Sequence, residues 1–247
     1  MSGKIRGAVL ALLRYFVMCL LLFAACILLT AAAGFFAGDR PVSAPIVEKS
    51  RPVIVIDAGH GGMDSGAVGV DGTFEKDINL SVAKKLAALF AAADCDVVMT
   101  RTEDVMLVED SVTSHRKMHD LKNRLAVVES LAAEGESPIL VSIHMNKFTE
   151  SKYSGLQVWY APADDASRQL AESVQSYART FLDPANTREI KRAASSIYIL
   201  DHVKSPAILV ECGFLSNADE CARLGTAEYQ NAVAVTIFAG IMAQLEC

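Results

Sequence analysis

Apolar positions along the chain fall into two kinds of pattern. Short continuous runs rich in β-branched residues read as buried strands: Val53-Ile54-Val55-Ile56-Asp57, Asp96 to Thr100, Ile139-Leu140-Val141-Ser142-Ile143, Leu156 to Tyr160, Ser196 to Leu200 and Ala207 to Val210. Between them, apolar residues recur at helical spacing. Ile78, Val82, Leu86 and Leu89 predict a helix over 77–92, and Leu121, Leu125, Val128 and Leu131 predict one over 114–133. Further helices are expected over 166–182, with a polar face, and over 227–245, with a long apolar one. Strands alternate with helices throughout. That order predicts a single α/β domain over 52–247, with a roughly six-stranded, mostly parallel or mixed sheet flanked by helices on both faces.

The N-terminal segment follows a different rule. Residues from Tyr15 to Ala37 carry no charge, and about 23 residues suffice to cross a bilayer as a helix. Lys4, Arg6 and Arg14 precede this block, so the expected orientation keeps the N-terminus in the cytoplasm and exports everything after residue 38. Residues 1–37 therefore read as a signal or membrane-anchor segment preceding the domain. Ala31-Ala32-Ala33 offers a cleavage site, whereas the length of the block favours a retained anchor. Residues 38–51, with Pro41 and Pro45, read as a linker.

Charge narrows the partners. The net charge of −6 and the lack of a Lys/Arg stripe exclude nucleic acid as a natural ligand. Six cysteines occur without a C-x-x-C pair, so neither a zinc ribbon nor a redox motif is present. A bridge between Cys212 and Cys221 is conceivable in an exported domain, but buried thiols are the expected state.

The candidate chemistry gathers at one edge of the expected sheet. His60 lies in the turn after the first strand, His144 ends the strand 139–143, and Glu211 ends the strand 207–210. Glu75 lies in the loop that opens the first helix. In an open α/β sheet, ligands bind beyond the carboxyl ends of the strands. Two imidazoles and a carboxylate form a normal set for catalytic zinc, and a second carboxylate can handle protons. Taken singly, each residue has an ordinary structural explanation, Glu75 as a helix N-terminal acid for example.

Four segments change that balance. Asp57-Ala58-Gly59-His60-Gly61-Gly62, Glu75-Lys76-Asp77, Ser142-Ile143-His144-Met145-Asn146 and Val210-Glu211-Cys212-Gly213-Phe214-Leu215-Ser216-Asn217 resemble, in order, the signatures of the zinc-dependent N-acetylmuramoyl-L-alanine amidases. The resemblance implies Zn²⁺ bound by His60, Glu75 and His144, with Glu211 as catalytic base and then acid. It implies peptidoglycan as substrate, cut between N-acetylmuramic acid and L-alanine. Segments 152–157 and 186–191, with the helix from Ser114 to Arg124, resemble more narrowly the germination-specific amidases of endospore formers. That likeness implies action in the spore cortex or cell wall ahead of a partner muramic-acid deacetylase. An exported regulatory protein is a further expected partner, because the chain has no room for a long autoinhibitory insertion. A housekeeping wall amidase, another zinc hydrolase of the same polymer and a non-catalytic wall-binding protein remain alternatives. Ala58 and Cys212 depart from the family pattern, and Cys212 raises the question of a thiol next to the metal.

Other features rank lower. His115 and His119 share a helix face and are expected to be solvated. Arg101, Arg116 and Arg124 are expected in surface ion pairs before substrate contacts. Trp159 and Tyr160 suit strand packing or sugar stacking, Asp57 suits a partner of His60, and His202 has no assigned role.

Overall fold

The computed structural model describes Met18 and residues 52–245. The expected membrane segment and linker lie outside the described residues, Met18 and the edge of the domain apart. Among the described residues, no helix is long and apolar enough to cross a membrane.

The described domain runs β1 (Val53–Ala58), α1 (Glu75–Ala92), β2 (Val97–Met99), α2 (Arg116–Ala133), β3 (Pro138–Asn146), β4 (Gln157–Tyr160), α3 (Asp165–Tyr177), β5 (Lys191–Arg192), α4 (Tyr198–His202), β6 (Ala207–Phe214), α5 (Ala218–Leu224) and α6 (Ala227–Met242). The six strands form one sheet in the order β2-β1-β3-β6-β4-β5. The first four are parallel neighbours, whereas β4 runs antiparallel to β6 and β5 follows β4. The sheet is therefore mixed.

Strand alternation divides the core. Ile54, Ile56, Ala58, Ile139, Val141, Ile143, Ile208 and Val210 point to one face, where α1, α3 and α6 bring Ile78, Val82, Leu86, Phe90, Val174, Val233 and Ile237. Val55, Leu140 and Leu209 point to the other face, under Leu125 and Val128 of α2 and Ile199 and Leu200 of α4. Both faces being covered, the central strands read as continuous apolar runs rather than alternating ones. The same period-two rule sends Asp57, Ser142, His144 and Glu211 to the α2 side.

Three helices start on side-chain caps: Asp164 accepts from Ser167 N, Asn217 from Glu220 N, and Thr226 from Tyr229 N. Helix α1 starts at Glu75 without a side-chain cap, because its N-cap residue, Phe74, carries no acceptor.

Two expectations need correcting. The run 196–200 is not a strand: Tyr198–His202 forms α4, which buries Ile199 and Leu200 in the smaller core. A short apolar run packs equally well as a helical turn, and length alone did not separate the two. The helix expected over 166–182 leaves α geometry at Tyr177 and finishes as a π-type turn over Ala178–Leu182. The sixth strand is instead Lys191–Arg192, two exposed residues at the sheet edge with no apolar signal.

Candidate metal centre

Beyond β1 the chain turns sharply at Gly59-His60-Gly61-Gly62. His60 adopts a left-handed conformation at φ 61°, a geometry costing a non-glycine residue roughly 1–2 kcal/mol. Two buried arginines hold the turn in place. Arg124 donates Nη1 to Ala58 O at 2.7 Å and Nη2 to His60 O at 2.6 Å. Arg101 donates Nε to Ala58 O at 2.8 Å and Nη2 to Gly59 O at 3.0 Å. Asn79 of α1 also reaches Gly59 O, at 3.1 Å. With five bonds on three carbonyls, the turn is over-determined, which is how a strained φ persists.

Gly59 lies against the His144 ring. A Cβ at that position would stand 2.2 Å from Cε1 and 2.3 Å from Nε2 of His144. Gly59→Ala is therefore expected to push this imidazole aside. Affinity for a metal ion held by this imidazole should fall about 10- to 100-fold, measurable by competition with a chromophoric chelator.

Three of the expected residues converge. His60 Nε2 lies 3.2 Å from Glu75 Oε1, and His144 Nδ1 lies 3.0 Å from the same oxygen. The three ligand atoms all fall within 4.8 Å of one another, a grouping that could hold a metal ion. Tetrahedral zinc with normal Zn–N and Zn–O bonds sets neighbouring donors roughly 3.3 Å apart, so the observed spacings fit. The donors are also oriented from behind. His60 Nδ1 meets Asp64 Oδ2 at 2.8 Å, leaving Nε2 for the centre in the manner of a carboxylate–histidine–metal triad. Glu75 Oε2 accepts from Ala67 N at 2.7 Å, and its Oε1 from Met145 N at 3.1 Å.

The electrostatics agree. Burial alone would raise the Glu75 pKa, but hydrogen bonds and charge from His144 and His60 outweigh it and hold the carboxyl well below its usual range. Burial likewise opposes a charged His60, yet Glu75 and Asp64 draw its pKa upward. Such a centre favours positive charge, whether carried by protons or by a cation.

Glu211 stands beside this set. In the β3–β6 ladder it pairs directly with His144, on the same face. Burial, reinforced by the charge of Glu75, pushes its carboxyl up to about 7 against the pull of His144, His60 and Arg188. Its Oε2 is enclosed and has no hydrogen-bond partner. A buried, unpartnered carboxylate oxygen costs free energy and calls for a role. Cys212, next in sequence, belongs to the opposite core and is fully buried there. Strand alternation thus removes its thiol from the metal side. Neither Cys212 nor Cys221 forms a disulfide.

The structure corrects several lesser readings. Asp57 does not orient His60. It accepts from Thr100 Oγ1 at 2.7 Å, Ser142 Oγ at 2.6 Å and Arg124 Nη1 at 2.7 Å. Asp64 is the partner of His60, and sequence reasoning missed it; an acid four residues on within a glycine-rich loop was the available signal. Arg101 and Arg124 are not surface residues but buried clamps. Arg116 ties its own helix start to Val112 O and Glu109 O. His115 and His119 are exposed, and His202 stacks on Tyr198. Trp159 and Tyr160 pack against the two cores, Trp159 also carrying Lys191 over its ring at 5.0 Å.

A family model described as N-acetylmuramoyl-L-alanine amidase matches residues 54–243, nearly the whole described domain. The chain belongs to this amidase family. Among its relatives, a germination-specific N-acetylmuramoyl-L-alanine amidase of Bacillus subtilis is 36% identical over 205 residues, covering 82% of each chain. The amidase LytC of the same organism is 31% identical over 189 residues, which span 76% of this chain and 34% of that one. The structure of the CwlD amidase from Clostridioides difficile, solved in complex with the GerS lipoprotein, superposes with a TM-score of 0.73 at 37% identity, covering 78% of this chain and 98% of that one. As an N-acetylmuramoyl-L-alanine amidase, the enzyme acts on the amide between muramic acid and L-alanine, so its substrate lies in the cell wall.

Proposed function

We propose that the enzyme is zinc-dependent, with His60, Glu75 and His144 as metal ligands and Glu211 as the catalytic carboxylate. The supporting observation is one juxtaposition: three ligand atoms within 4.8 Å of one another, beside the enclosed, unpartnered Oε2 of Glu211. When bound, zinc supplies Lewis acidity towards the scissile carbonyl and lowers the pKa of water. The chain's own residues do the rest. Asp64 fixes the ring of His60, while Ala67 N and Met145 N fix Glu75. Glu211 takes the proton from the attacking water and delivers it to the departing alanine nitrogen. The same carboxyl serves both steps in turn, giving up in the second the proton it accepted in the first.

The proposed setting is the spore cortex. Removal of the stem peptide would expose muramic acid to a deacetylase and so lead to muramic-δ-lactam. Support comes from the likeness to the germination-specific amidase and to CwlD. Because that CwlD was solved with a lipoprotein, an exported lipoprotein is also the proposed regulatory partner. Residues 1–37 would export the enzyme and 15–37 would anchor it, with 38–51 as the linker and 52–247 as the catalytic domain. The likeness to LytC supports a vegetative wall role as the second reading.

Two measurements test this. Metal analysis of the purified domain should give one zinc per chain, and chelation should abolish release of whole stem peptides, with zinc restoring it. Muropeptides from spores of a deletion strain should lack muramic-δ-lactam; normal lactam levels would leave the vegetative role.

A further inference from the structure

The loops that follow β3 and precede β5 meet at Arg188. Its guanidinium lies over the Phe214 ring, 4.2 Å from the centroid, with the Tyr153 ring at 5.9 Å. Nε donates to Ser154 O at 2.8 Å and Nη1 to Gln157 Oε1 at 3.0 Å. Gln157 is buried and locked in turn, its Nε2 donating to Glu189 O at 2.7 Å. The arginine is thus held in one orientation by an amide, a carbonyl and an aromatic face.

Its location matters. Gln157 of β4 pairs with Glu211 of β6 in antiparallel register, and directly opposed residues stand roughly 4.5–5.5 Å apart at Cα. Arg188 is therefore one hydrogen bond beyond the ladder neighbour of Glu211. Glu220 and Glu211 act on its charge from a distance, but neither reaches it as a direct ion pair. Arg124 pairs with Asp57 and Asp120, and Arg179 with Glu189. Among the described residues, no carboxylate forms an ion pair with Arg188 and nothing accepts from its Nη2. A fixed, half-buried guanidinium with one open nitrogen suits a carboxylate ligand.

We propose that Arg188 is the receptor for a substrate carboxylate, that of the acidic residue following L-alanine in the stem peptide. The proposal rests on the amidase reading above. In the intact substrate the lactyl carboxyl of muramic acid is consumed in the scissile amide, so the anions near that bond belong to the peptide. An extended chain advances about 3.3–3.6 Å per residue, which puts the second residue's carboxylate on the order of 7 Å from the scissile carbon. A protein of net charge −6 has no general attraction for an acidic peptide, so a local cation is needed to hold it.

The test uses the zinc-loaded enzyme and two synthetic muramyl tripeptides that differ at one group. The second residue carries either its free α-carboxylate or the carboxamide. Wild type is expected to prefer the acid about 10- to 100-fold in kcat/KM, mostly through KM. In Arg188→Gln the preference should collapse to within about twofold, and Arg188→Lys should keep part of it, since an ammonium retains the charge but not the fork. Equal rates of wild type on both substrates would overturn the proposal. So would an Arg188→Gln enzyme that loses the same factor on each, which would mark the arginine as a structural brace. Failure of wild type to hydrolyse either substrate counts against the amidase reading instead. Calorimetric binding of the two released tripeptides to wild type and Arg188→Gln then decides the Arg188 assignment by the same ratio.

Discussion

Replacing Glu211 by glutamine is expected to lower kcat/KM on muropeptides by about 10³-fold, with zinc content unchanged. The substitution keeps the shape of the side chain and its place opposite His144. On the proposed mechanism, what it removes is the ability to accept a proton from water and return it to nitrogen. Binding of substrate should persist, so the loss should appear in kcat more than in KM. The stability of the variant tells as much as its rate. Glu211 suffers from burial and from the charge of Glu75, and its Oε2 has no partner. Glutamine carries no charge to desolvate. The metal-free variant should therefore melt at or above the temperature of metal-free wild type, measured by differential scanning calorimetry at pH 8. A side chain that costs stability and supplies rate is placed for chemistry; a variant that lost both would make Glu211 a structural residue.

The convergence of the proposed site residues was legible because strand ends are. His144 and Glu211 follow apolar runs buried on both faces, which placed both at one edge of the sheet; that they stand side by side came only with the β3–β6 pairing. His60 and Glu75 were legible from the glycine-rich turn and the helix start. What supports them was not. Asp64, Arg101 and Arg124 act through loop and tertiary geometry, and no apolar period reports the path of a loop. Arg124 sits on a helix whose polar residues suggested a solvated face, yet it is among the largest fully buried side chains of the described domain. Its burial depends on Asp57 and Asp120, 67 and 4 residues away in sequence, and on carbonyls freed by an irregular turn. Likewise α4 was misread because Ile197 to Leu200 is equally apolar as strand or turn of helix, and β5 because two exposed basic residues carry no strand signal.

Arg124→Met is the second substitution expected to have a large effect, on stability before activity. Arg124 is 1% exposed and pairs with Asp57 at 2.7 Å and with Asp120 at 2.7 Å. Its remaining bonds go to Ala58 O and His60 O, the carbonyls that fix the His60 turn. Methionine fills much of the volume but leaves Asp57 ionised, buried and without its cation. Breaking one side of such a pair costs about 3–5 kcal/mol, which lowers the melting temperature of a domain this size by about 10 °C or more. The pH dependence identifies the cause. Burial would raise the Asp57 pKa, but the Arg124 charge and the Ser142 hydrogen bond bring it down to about 2 from the usual 3.8. A carboxyl depressed on folding stabilises the native state above its unfolded pKa, and that contribution is lost as pH falls through the folded one. Wild type should therefore lose about 2 kcal/mol from this group between pH 5 and pH 2, as read from urea midpoints. Arg124→Met, whose Asp57 no longer has a depressed pKa, should lack this component of the acid loss. The double variant Asp57→Asn, Arg124→Met should recover part of the damage, because the uncompensated charge is gone. Its zinc affinity should stay low, since the His60 carbonyl would still lack its guanidinium. Recovery of stability without recovery of metal binding would separate the two tasks of this one side chain, neutralising the core and shaping the ligand turn.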